Sequence, residues 1–342
     1  MNSKHPKIVV AGAGSIGCYA GGCLALAGRR VALLARPRIA DAIRAHGLRI
    51  SDLDGRDRTV APLQVTAEAD PAVALAGADI VLVTVKSGAT TDMAGLIAKH
   101  APAAAIVVSL QNGVDNPDVL RAALPEGTKV FAGMVPFNVI QTEAADTPLR
   151  LHRATSGTVL VGAGDGSPAD LLNVEGFSVK AEANMTGVAW AKLLLNLNNA
   201  VNALSGLPLA TELADRRWRL LLAAQIAEAL ALMHTAGIKP ARIEGVHPAM
   251  LPAILRLPDW LFRLVARRML SIDPEARSSM WEDFVHRRPT EIDQLQGTVV
   301  RLAARTDRNA PLAARIVTLV REAEARQAGS PGLSPEKIAL PE

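Results

Sequence analysis

Short runs of β-branched and apolar residues alternate with alanine-rich segments of helical period through the first half of the chain. "KIVVAGAG" reads as a strand, residues 16–27 as a helix, "RVALLAR" as a second strand and "RIADAIRAHG" as a second helix. The polar stretch "SDLDGRDR" reads as a hairpin or loop. "ADIVLVTVK" and "AAIVVSLQNG" are apolar without alternation, the pattern of strands buried on both faces. "KVFAGMVPFNVI" and "GTVLVGAG" add two more. Strands that alternate with helices predict a parallel, doubly wound α/β sheet.

After about residue 180 the strand signals stop. Amphipathic helical segments follow over 186–204, 215–236 and 289–305, so the second part predicts an all-helical domain. The boundaries expected are 1–183 for the sheet domain, 184–327 for the helical domain, and a loose tail over 328–342, "AGSPGLSPEKIALPE". Within the first helical segment, "WAKLLLNLNNAVNAL" sets one lysine and four asparagines among apolar residues. At about 100° per residue, Lys192, Asn196 and Asn199 share a stripe, while Asn198 and Asn202 point elsewhere. A lysine and two amides on one face can grip a polar ligand. A lysine that snorkels to water would leave the same pattern.

The bulk properties narrow the class. With 342 residues and 49% hydrophobic content, the chain suits two packed domains. A net charge of +4 and a pI near 9.3 admit anionic ligands. There is no basic run or aromatic-basic interleaving of the kind that binds nucleic acid. Cys18 and Cys23 fall on different faces of one helix, which is poor disulfide geometry, and read as reduced packing residues of a cytoplasmic protein. Neither they nor the scattered histidines have metal-ligand spacing. The first 28 residues imitate a secretory signal or short membrane span, but their glycine spacing and the strand that follows at once favour a folded, non-membrane segment.

That glycine spacing is "GAGSIG", with Gly12, Gly14 and Gly17 placed between a strand and a helix. Such a turn binds the pyrophosphate of a dinucleotide. The first glycine makes the tight turn, the second admits the phosphates, and the third lets helix and strand pack closely. The first domain is therefore Rossmann-type, and Gly12, Ala13, Gly14, Ser15, Ile16 and Gly17 form its expected cofactor turn. Where NAD-binding sheets carry an acidic residue at the end of the second strand, this chain has Arg36, with Arg38 nearby. A guanidinium there suits the 2′-phosphate of NADP(H), although Arg36 also fits as a strand-end surface charge. Lys86 and Asn112 end two further strands, where ligands of open α/β sheets bind. Each alone also suits a turn.

These landmarks resemble the ketopantoate reductase (2-dehydropantoate 2-reductase) family. The likeness runs from "GAGSIG" through Arg36, Lys86, "LQNG" and "WAKLLLN" to "SSMWEDFVHRRPTEIDQLQG" at 278–297. It implies a Rossmann domain joined to a helical domain, NADPH as reductant and a 2-keto acid as substrate. It further implies Lys192 as proton donor, Asn196 and Ser279 as substrate contacts, Glu291 as the residue that orients the catalytic groups, and Asn112 near nicotinamide and substrate. A dimer of identical chains is an expectation of the family. Local alternatives remain: Glu291 fits as a first-turn carboxylate, and Ser279 as a helix cap with Glu282 completing a capping box. Two positions depart from the family pattern. Ala200, followed by Val201, replaces an asparagine two turns after the lysine, with Asn199 one residue earlier on the stripe. Ala276 replaces an asparagine just before Ser-Ser-Met.

The chemistry is coherent residue by residue. Reduction of a ketone leaves an alkoxide, which a partly buried ammonium can stabilise and protonate. The leading expectation is reduction of ketopantoate to pantoate. The alternatives are reduction of another 2-keto acid by the same machinery, and a non-catalytic NADP-binding sensor. A proton donor argues against the sensor, because binding alone does not need one.

Overall fold

The apolar runs of the first half become strands, and the segments between them become helices that cover the sheet. The computed structural model describes residues 6–144, 146–242, 246–265 and 275–340. It divides into two units, Met1–Met185 and Thr186–Glu342, each with its own apolar core.

The first unit's strands are β1 (Lys7–Ala11), β2 (Arg30–Leu34), β3 (Leu48–Asp52), β4 (Asp57–Val60), β5 (Thr66–Glu68), β6 (Ile80–Val83), β7 (Ile106–Ser109), β8 (Val130–Met134), β9 (Val139–Thr142), β10 (Leu149–Arg153), β11 (Val159–Gly162) and β12 (Val179–Glu182). Its helices are α1 (Ser15–Leu26), α2 (Pro37–His46), α3 (Pro71–Leu75), α4 (Thr90–His100), α5 (Asn116–Ala123) and α6 (Ala169–Leu172). Eight strands form one sheet in the order β12-β11-β8-β7-β6-β1-β2-β5. Its centre is parallel, with Val10 opposite both Leu33 and Leu82, and β11 returns antiparallel to β8. The central strands are fully buried, as continuous apolar runs require when helices cover both faces.

A second, four-stranded sheet, β4-β3-β10-β9, has no counterpart in the sequence reading. "SDLDGRDR" supplies the end of β3 and the hairpin to β4, and β10 joins β3 in parallel. α1 packs against both sheets, and Gly21 and Gly22 permit this. A methyl on Gly21 would sit 2.5 Å from Leu33 Cδ2, and one on Gly22 2.4 Å from Ile50 Cδ1. Tyr19 meets Phe137 edge-on at 5.7 Å between ring centres, and Phe137 meets Phe177 at 6.4 Å. His152 and Arg153, which had no assigned role, belong to this sheet. His152 Nδ1 lies 2.9 Å from Ser51 Oγ, and Arg153 donates to Asp54 Oδ2 at 2.5 Å. Cys18 and Cys23 are buried free thiols in α1.

The second unit is helical: α7 (Met185–Asn196), α8 (Asn198–Ser205), α9 (Leu209–Ala214), α10 (Arg216–Thr235), α11 (Leu251–Leu255), α12 (Asp259–Val265), α13 (Ser279–Val285), α14 (Gln296–Arg305), α15 (Pro311–Arg326) and α16 (Pro335–Ile338). Asp215 caps α10 by accepting the Arg217 N–H at 2.9 Å, the standard means of satisfying a helix's first amides. Two expected helices are interrupted. The 186–204 segment breaks at Leu197, whose carbonyl accepts from the buried Gln296 Nε2 at 2.8 Å. A side chain bonded to a helix carbonyl is a recognised cause of such breaks. The 289–305 segment begins as a short 3-10 turn at Ile292–Gln294, and α14 starts only after Leu295. The expected loose tail is corrected. Ile338 is fully buried, Leu333 packs on the same core, and the Leu333 N–H donates to Leu204 O at 2.9 Å. Burial of these few apolar side chains holds down a segment whose glycines, prolines and serines suggested disorder.

Candidate functional site

The glycine turn meets the steric demands of a dinucleotide. Gly12 has φ +118°, and a methyl there would lie 2.7 Å from Val85 Cγ1. A methyl on Gly17 would lie 2.2 Å from Gly12 O and 2.6 Å from Thr84 Oγ1, whereas one on Gly14 meets nothing within 4 Å. The outer glycines are thus required by the fold, while the middle one faces open space where phosphates can approach. Thr84 Oγ1 donates to Gly12 O at 2.6 Å and fixes the turn. α1 begins at Ser15 with no side-chain cap and no acidic residue in its first turn. The amides of Ser15, Ile16 and Gly17 are therefore available to an anion, and Ala13 N–H is tied to Leu34 O at 3.1 Å. The residues present fit a pyrophosphate.

At the end of β2, Arg36 is exposed and precedes Pro37 at the first position of α2. Arg38 is engaged by both carboxylate oxygens of Glu143. That pairing leaves Arg36 as the strand-end guanidinium with no side-chain partner among the described residues. Lys86 and Asn112 are both exposed, on the loops after β6 and β7. A buried polar network ties those loops together. Ser87 Oγ donates to Asn112 O at 3.0 Å, and Asn116 Nδ2 donates to the same oxygen at 2.5 Å. Gln111 Nε2 donates to Val85 O at 3.0 Å and to Thr90 Oγ1 at 2.7 Å. The sequence reading missed Ser87, Thr90 and Asn116. Each is an ordinary loop or helix-start residue, and the bonds that join the two loops, Ser87 to Asn112, Gln111 to Thr90, and Asn116 to Ser87 and Thr90, span more than twenty positions, so no local signal marks them.

In the helical unit, the four asparagines of residues 196–202 are of two kinds. Asn198 and Asn202 are consumed by structure: both donate to Glu212, at 2.8 and 3.0 Å. Asn196 and Asn199 are half-buried, and their side-chain amides make no hydrogen bond among the described residues. Lys192 is half-buried in α7 between the buried Ala191 and Leu193. Burial pushes its ammonium down to about 8, because desolvation disfavours the charged form.

Ser279 is exposed at the first position of α13. The expected cap at Ser279 is corrected: Ser278 caps the helix, its Oγ accepting the Trp281 N–H at 3.2 Å. Ser279 Oγ is spared that duty because the turn places its neighbour, not itself, in the extended conformation that a cap needs. Glu291 is half-buried and leads into the Ile292–Gln294 turn, rather than lying in the first turn of a long helix. Ala200 is fully buried in the helical core. The position that the family fills with asparagine thus presents a methyl group to apolar neighbours. Ala276 contributes its carbonyl to the Leu209 N–H at 2.9 Å.

A mostly parallel sheet with a glycine turn at its first crossover, followed by a helical unit carrying a half-buried lysine, is the architecture of a dinucleotide-binding protein of two units. Comparison with known proteins narrows the class. The family model for ketopantoate reductase PanE/ApbA matches residues 8–166, and that for its C-terminal part matches 184–324. A 2-dehydropantoate 2-reductase of Halobacterium salinarum is 31% identical over 93% of this chain and 99% of its own length. One from Mesorhizobium japonicum is 26% identical over 92% of this chain and 97% of its own. The crystal structure of a PanE/ApbA family ketopantoate reductase from Ralstonia eutropha JMP134 superposes with a TM-score of 0.78 at 30% identity, covering 94% of this chain and 99% of that one. A D-mandelate dehydrogenase bound to NADH and anilino(oxo)acetate shares the fold at 19% identity, with a TM-score of 0.73 and coverage of 94% and 99%. The chain belongs to the ketopantoate reductase family and is an oxidoreductase acting on CH–OH groups. Among the described residues, no helix is long and apolar enough to cross a membrane.

Proposed function

We propose that the chain reduces a 2-keto acid with NADPH, ketopantoate to pantoate being the leading reaction, in the cytoplasm. The observation that carries this is the stripe of Lys192, Asn196 and Asn199, with an ammonium poised near 8 by burial. Bound NADPH supplies a hydride to the keto carbon. Lys192 hydrogen-bonds the keto oxygen and donates its proton to the alkoxide as charge develops there. Asn196 and Asn199 hold substrate oxygens without adding charge, and the Ser279 hydroxyl donates to the substrate carboxylate. Glu291 orients the ammonium, while Asn112 supports substrate and nicotinamide. The Ser15, Ile16 and Gly17 amides at the end of the glycine turn hold the pyrophosphate, Arg36 the 2′-phosphate, and Lys86 a second anionic group of the cofactor.

A second reading, reduction of a different 2-keto acid, is favoured by the buried methyl group of Ala200. Loss of an amide from a site that reads hydroxyl groups changes selectivity strongly. NADPH oxidation measured with ketopantoate and a panel of 2-keto acids tests both. Turnover with ketopantoate foremost supports the first reading, and a strong preference for another acid supports the second. No turnover with any of them would overturn the proposal.

A further inference from the structure

Glu212 is a carboxylate buried to 1% exposure that no basic side chain contacts among the described residues. Burying a charge without a counter-ion is costly, so its surroundings must explain it. Three neutral donors converge on it. Asn198 Nδ2 donates to Oε1 at 2.8 Å, while Asn202 Nδ2 at 3.0 Å and Ser205 Oγ at 2.9 Å donate to Oε2. A carboxylate accepts all three and offers no hydrogen of its own, which an amide cannot do. It therefore fixes which way the two asparagine amides point.

The consequence passes along a chain of bonds. With its Nδ2 turned to Glu212 and to Leu207 O at 2.9 Å, the fully buried Asn202 aims Oδ1 at the Ser278 N–H, which it accepts at 2.8 Å. Ser278 Oγ in turn donates to Asn199 O at 2.9 Å. α8, which carries Asn199, and the turn that carries Ser279 are thereby tied at two points. We infer that Glu212 is a positioning residue: through Asn202 and Ser278 it sets the spacing between Asn199 and Ser279, the two side chains that grip the keto acid. The inference rests on the proposed reductase reading.

The test is Glu212→Gln, with steady-state kinetics and NADPH affinity measured separately. The amide turns a donor toward one of the three donors, and one tie is lost. The keto acid's KM is expected to rise about tenfold, with kcat and the NADPH Kd within about twofold of the parent. Glu212→Asp keeps an acceptor-only carboxylate on a shorter stem and is expected to recover part of the KM. An unchanged KM in Glu212→Gln, or equal losses in KM, kcat and NADPH affinity with no recovery in Glu212→Asp, overturns the inference. If Glu212→Gln does not fold, Ser278→Ala removes the tie to Asn199. It is then expected to raise KM about threefold at constant kcat, and an unchanged KM overturns the inference equally. A parent protein that turns over no 2-keto acid refutes the underlying reading instead, so the two failures are distinct.

Discussion

The state of the Lys192 ammonium gives the most direct check on the chemistry. An exposed lysine titrates near 10.5, whereas burial lowers this one to about 8. A proton donor works only while protonated, so activity falls as pH rises through the folded value. With a value of about 8, roughly nine-tenths of the enzyme is competent at pH 7 and about one-tenth at pH 9. kcat/KM for the keto acid should thus drop about eightfold to tenfold between those pH values, along a limb of one proton. An unburied lysine would leave that interval almost flat. The assay is initial rate of NADPH oxidation in buffers of constant ionic strength, with NADPH saturating. Lys192→Ala should lose about 10²- to 10⁴-fold in kcat, bind NADPH with little change, and show no alkaline limb with this midpoint. A limb in the parent centred near 10.5, or an alanine variant with parental kcat, would refute the role. The same shift has a sign for stability. Between about 8 and 10.5 the unfolded chain binds the proton that the folded chain has released, so this group adds stability as pH rises through that window.

Further outcomes follow from the glycine turn, the strand-end arginine and the cysteines. Gly17→Ala drives a methyl to 2.2 Å from Gly12 O, and should cost about 1–3 kcal/mol of stability, seen in the urea midpoint. Gly14→Ala meets open space, so it should melt like the parent but bind NADPH at least tenfold more weakly by fluorescence titration, about 1.4 kcal/mol. Arg36→Ala should raise the NADPH Kd about tenfold to a hundredfold and the NADH Kd much less; equal losses would remove the phosphate argument. Burial pushes the Cys18 and Cys23 thiols up to about 12, so neither should react with a thiol reagent in the native state and both should react in urea.

Much of this protein was written locally. Strand and helix order, the glycine turn and the Lys192 stripe depend on period and on neighbours within a few residues, which a sequence shows directly. The angular argument assumed one continuous helix over 192–202, and the break at Leu197 divides that segment into α7 and α8. The expectation for Ser279 as a cap missed by one residue, since capping depends on a backbone angle that Ser278 and Ser279 could each have adopted.

What tertiary structure decided involves partners far apart in the chain. The second sheet pairs β3 with β10 across about a hundred residues, and nothing local to either strand names the other. Arg219 of α10 is fully buried because carbonyls of Leu213, Ala214, Leu255 and Leu257 and the carboxylate of Asp259 meet its guanidinium. The break at Leu197 comes from Gln296, and the tail is held by a core built from earlier helices. Glu212 gains its place only when three donors from α8 surround it. Period and propensity act over one or two turns of chain. A buried polar group's cost is met by whichever residues the fold brings beside it, and that is settled in three dimensions.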